Sequence, residues 1–144
     1  MNSKSKGRSK PAGSSSPEAE RIARDMEAGK QQVLVILFIP SHDRDEKELK
    51  NRDLWADAAL DLFSDLFGGA TAFDTYAGVY RDKVRGKDLK DKPILVERDT
   101  KIERIKDLTV LNNLVSFMKR MGRETRQAAV AVVIDNSFHE IDKF

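Results

Sequence analysis

Val33 to Ile39 is apolar at all seven positions, and no other stretch constrains the fold as strongly. The run is far too short to cross a bilayer. Pro40 and the charged stretch SHDRDEKELK end it before a buried helix could form. It therefore predicts a strand covered on both faces and central in its sheet.

The pattern changes at Arg52. Leu54, Trp55, Ala58, Ala59, Leu62, Phe63, Leu66 and Phe67 recur at helical spacing, and Gly68-Gly69 supplies a stop, because glycine enters the left-handed C-cap conformation freely. ATAFDTYAGVY then alternates as one strand, RDKVRGKDLKDK is a charged connection, and PILVERD is the next strand. Leu108, Leu111, Leu114, Val115, Met118 and Met121 predict a second helix, ended by Gly122. AAVAVVID is a further apolar strand, with SFHEI continuing it past an Asp135-Asn136 turn or closing a short hairpin.

The order β-α-β-β-α-β predicts an α+β, ferredoxin-like domain: a four-stranded antiparallel sheet with two helices on one face. A small three-layer α/β domain is the competing architecture. The domain is expected over residues 31–144, preceded by a helix over 17–29 and a disordered basic tail over 1–16. Ser16-Pro17-Glu18 marks the helix start. The tail carries Lys4, Lys6, Arg8 and Lys10 without an acid, so the net charge of +2 conceals a body of −2. Those cations could form a nucleic-acid arm, though such tails more often serve solubility.

Two strands apolar on both faces leave the sheet's second face to be covered. The expected cover is either residues 17–28 or, in preference, a second copy of the chain. The absence of cysteine rules out disulfides, cysteine-ligated zinc and thiol catalysis. No span or leader is evident, so a cytoplasmic location is expected, with no membrane partner.

Three connections should meet at one end of the sheet: the loop with His42, Asp43, Arg44, Asp45 and Glu46, the hairpin after Tyr80-Arg81, and the segment GRETRQ. A second candidate grouping, Asp74, Tyr76, Tyr80 and Glu97, would lie on the open face. Neither histidine has a partner at metal-ligand spacing, and no metal or cofactor is expected. Asp53, Asp57, Asp61 and Asp65 fall every fourth residue on the first helix. A solvated face explains them better than a basic partner.

FGGATAF…GVYRD…KPILVE, followed by MGRETRQAAVAVVID, resembles a group of small bacterial and phage-borne α+β proteins of unknown function, over residues 33–141. The resemblance implies a bacterial cytoplasmic setting and a ferredoxin-like domain. It carries over no catalytic role. Its matching polar positions are Arg81, Glu97, Arg123, Glu124 and Gln127, with Tyr80 where an aromatic is usual. With no phosphate loop, nucleophile elbow or dinucleotide fingerprint, the leading expectation is a non-catalytic interaction or regulatory module acting as a homodimer with an unidentified protein partner. The alternatives are a small-ligand binder or enzyme using Tyr80, Arg81, Glu97, Arg123 and Glu124, and a nucleic-acid contact through the arm.

Overall fold

The computed structural model describes residues 16–26 and 32–144. The chain divides into two compact units, residues 1–31 and 32–144. In the first, helix α1 (Pro17–Asp25) is capped by Ser16, whose hydroxyl accepts from the Ala19 N–H. The basic tail and the end of the helix expected to Gly29 lie outside the described residues.

The second unit is a mixed α+β domain. Strands β1 (Gln32–Ile39), β2 (Thr71–Asp74), β5 (Ile94–Lys101), β6 (Val130–Ile134) and β7 (Ser137–Ile141) form one antiparallel sheet in the order β2-β5-β1-β6-β7. Strands β3 (Gly78–Asp82) and β4 (Lys87–Asp91) form a separate two-stranded hairpin. Three helices complete it: α2 (Arg52–Phe67), the short α3 (Ile102–Lys106) and α4 (Leu108–Glu124).

The apolar run of β1 does occupy the centre of the sheet. Val33, Val35, Leu37 and Ile39 are buried and alternate with half-buried Leu34, Ile36 and Phe38. Of these, Val35, Leu37 and Ile39 pack with Val96, Val130 and Val132 against Phe63, Leu66, Leu114, Met118 and Met121 of α2 and α4. The two helices meet where Trp55 and Phe117 pack edge to face, ring centroids 5.8 Å apart.

Four details differ from expectation. The sheet has five strands rather than four, because Asp135 and Asn136 both take positive φ (49° and 64°) and return β7 beside β6. Residues 71–82 are two strands, not one: the backbone leaves the sheet after Asp74, and β3 pairs with β4 instead of β5. The charged connection is the other arm of that hairpin, with Gly86 at φ 67° in its turn.

Gly122 does not end its helix. Its missing Cβ makes room for the Phe144 ring, and α4 runs on to Glu124, capped by Thr125, whose hydroxyl donates to the Met121 carbonyl at 2.6 Å. Gly68, at φ 82°, does stop α2, and the Arg104 side chain donates to the carbonyl of Leu66 beside it.

Candidate functional site

A cleft of about 780 Å³ opens where the sheet face opposite α2 and α4 meets the β3–β4 hairpin. Its floor is Phe38 of β1, Ala131 of β6, and Phe138 and Glu140 of β7. Val79, Arg81, Leu89 and Asp91 of the hairpin form one wall. His42 and Asp43 of the loop after β1, with Gln127 from the connection after α4, form its end. Phe38 and Phe138 pack edge to face at 6.3 Å, so the floor is aromatic.

The loop that carries His42 is held from both sides. Asp43 Oδ1 accepts from the backbone N–H groups of Asp45 (2.8 Å) and Lys47 (3.0 Å). The Lys47 bond above all, with the Asp45 bond and the nearby Arg126 cation, holds the Asp43 carboxyl below its ordinary range against the opposing desolvation. Across the gap, Gln127 Nε2 donates to the His42 carbonyl at 2.9 Å, and Arg126 pairs with Asp45 at 2.9 Å. The loop after β1 and the connection after α4 are therefore bonded together.

At the base of the cleft, Ser41, His42 and Asp91 form one network. The Ser41 N–H donates to Asp91 Oδ1 at 3.0 Å, and the Ser41 hydroxyl donates to the same oxygen. The Lys92 N–H donates to Ser41 Oγ at 2.9 Å, and His42 Nδ1 lies 2.6 Å from that oxygen. Ser41 is only 4% exposed, whereas the His42 side chain is 35% exposed. Nε2 of His42 has no hydrogen-bond partner among the described residues.

Of the residues singled out in the sequence, Arg81 and Gln127 line this cleft, Arg81 while paired with Asp88 at 2.8 Å. Tyr80 has its backbone in β3. Glu97 lies elsewhere on the open face, between Ile36 and Thr71 in the strand register and without an ion pair among the described residues. Arg123 and Glu124 occupy the last turn of α4, where Glu124 pairs with Arg120 at 3.5 Å. The structure thus does not gather Glu97, Arg123 and Glu124 with Arg81: the sheet register and the extended α4 separate them.

Asp74 bonds Arg52, and Tyr76 is fully exposed in the link to the hairpin, so the second grouping is not assembled either. The pairing of Ser41 with Asp91 has no local sequence signal. Fifty residues apart, they meet only when the hairpin returns the chain.

No protein-family model matches the chain, and no curated protein matches it. Among solved structures it is similar to a phage SAM lyase in complex with S-methyl-5′-thioadenosine, with a TM-score of 0.56 and 14% identity. That match covers 79% of this chain and 92% of the lyase. A phage SAM lyase in its apo state matches at a TM-score of 0.49, with 14% identity over 77% of this chain and 87% of that one. The first match shows a shared α+β fold. It also overturns the expectation of a non-catalytic interaction module, since the solved chain that shares this architecture is an enzyme.

Proposed function

We propose that this chain is an enzyme of S-adenosylmethionine cleavage, taking its sulfonium nucleoside into the cleft between the open sheet face and the β3–β4 hairpin. The observation that carries this reading is the fold correspondence with the phage SAM lyase, which extends over nearly all of that chain. The cleft suits the ligand class. Its volume lies within the range of small-molecule sites, Phe38, Val79 and Phe138 offer apolar and aromatic surface to an adenine or a thioether, and His42, Glu140 and Arg81 supply polar contacts.

The chemistry favours such walls. S-methyl-5′-thioadenosine is left when the bond from sulfur to the methylene of the amino-acid arm breaks. The electron pair stays on sulfur, which passes from sulfonium to neutral thioether. Without water, the arm leaves by closing its own carboxylate onto that carbon, or by losing a neighbouring proton to a base. Carboxylate closure, or proton loss to an anionic base, neutralises charge in the transition state, and a dry apolar wall disfavours the charged ground state more than the neutral product.

We read the architecture as a ferredoxin-like core, β1-α2-β2-β5-α4-β6, extended by the hairpin and by β7. The same domain acts as a cytoplasmic homo-oligomer in this reading. Support for association comes from the row Leu34, Ile36, Leu95 and Val133, which is half-buried and lies on the face opposite α2 and α4. Among the described residues no helix is long and apolar enough to cross a membrane.

Isothermal titration calorimetry with S-methyl-5′-thioadenosine tests the assignment. Binding that weakens when Val79 or Phe138 is replaced by Asp supports it. The absence of any heat at millimolar ligand would defeat it.

A further inference from the structure

Ser41, His42 and Asp91 share the residue types of a nucleophilic triad, but donor counting gives them a different role. A serine hydroxyl has one proton to donate and two lone pairs to accept with, and a carboxylate oxygen offers only lone pairs. The Ser41 proton goes to Asp91 Oδ1, so the Lys92 N–H and the imidazole must both donate to Ser41 Oγ. His42 then carries a proton on Nδ1. Ser41 is buried and its hydroxyl proton is committed, so it cannot serve as the nucleophile.

We infer that His42 is the proton acceptor of the cleft: Ser41 and Asp91 hold its ring as the Nδ1–H tautomer, which leaves the Nε2 lone pair for an N–H or O–H donor of the bound molecule. Ser41 and Asp91 are positioning residues in this arrangement. The same orienting logic, in which the bond made by one ring nitrogen fixes the role of the other, governs histidine bases and ligands generally. His42 lines the cleft, and Nε2 lacks a protein partner among the described residues. This inference rests on the proposed function only for the identity of the ligand, a nucleoside whose ribose hydroxyls and amino group are neutral donors.

The chain has only two histidines, His42 and His139, so ring-nitrogen NMR of the full-length ¹⁵N-labelled protein is simple to assign with His139→Gln. At about pH 8, above the ordinary histidine range, His42 should show a protonated Nδ1 and a bare Nε2. Ser41→Ala should abolish that preference. Asp91→Asn provides a second variant should Ser41→Ala fail to fold by circular dichroism. A wild-type ring protonated on Nε2, or a tautomer unchanged in a folded Ser41→Ala, overturns the inference.

Adding S-methyl-5′-thioadenosine should move the Nε2 resonance, and His42→Gln should weaken its binding by roughly three- to tenfold, the worth of one neutral hydrogen bond. Ligand that binds while leaving Nε2 unmoved refutes the role of His42 and spares the proposed function. If the nucleoside does not bind at all, the proposed function falls. The inference is then decided by the tautomer and by diethyl pyrocarbonate, which should acylate Nε2 of His42. Complete protection of that nitrogen would overturn it.

Discussion

Ser41 shows how much a buried hydroxyl can organise. It is 4% exposed and joins the end of β1 to the end of β4. Ser41→Ala leaves the His42 Nδ1–H without its acceptor and the Lys92 N–H with Asp91 Oδ1 alone, at 3.0 Å. It should destabilise the fold by about 1–3 kcal/mol, as urea denaturation would report. A loss below about 0.5 kcal/mol would mean that solvent replaces the hydroxyl without cost.

Asp43 acts through pH. Two backbone N–H groups and a nearby arginine depress its carboxyl below the usual 3.8, so its contribution is complete above the unfolded value and lost as pH falls through the lower folded one. Amide exchange at Asp45 and Lys47 should therefore be protected evenly above about pH 4, with protection falling below it. In Asp43→Asn that acid-side fall should disappear; its persistence would assign the loop's hold to other contacts.

Among the elements, α4 tests how far packing overrides local signals. Gly122 carries a helix-stop residue type, yet its backbone stays helical and Phe144 occupies the space where a side chain would be. Gly122→Ala should expel the Phe144 ring and lower stability despite alanine's better helix propensity, by which it would otherwise gain about 1 kcal/mol. An unchanged or raised melting temperature would show that the Phe144 contact contributes little.

The same contrast explains what could be read in advance. The run of β1, the helical periods of α2 and α4, and the Gly68 stop follow from side-chain patterning alone. The split of residues 71–82 into β2 and β3 does not, because alternation continues through both while the pairing partner changes from β5 to β4. Of the cleft, the loop at His42 and the positions Arg81 and Gln127 were legible as polar ends of elements. The Ser41–Asp91 bond was not, since it depends on where the hairpin returns. Nor was the separation of Glu97 from Arg123, which the sheet register decides.

For the whole molecule, the five-stranded sheet buries one face under α2 and α4 and leaves Leu34, Ile36, Leu95 and Val133 half-buried on the other. Association through that face predicts a homo-oligomer in sedimentation equilibrium that Ile36→Lys dissociates. A monomer at micromolar concentration would contradict it.

The proposed cleavage of S-adenosylmethionine is read out by turnover. Full-length protein incubated with S-adenosylmethionine, beside a protein-free control for spontaneous decay, is analysed by liquid chromatography and mass spectrometry. S-methyl-5′-thioadenosine should be released in proportion to protein and time, together with a four-carbon product that is either a lactone or an alkene. Release indistinguishable from the control at every protein concentration would rule out the proposed cleavage.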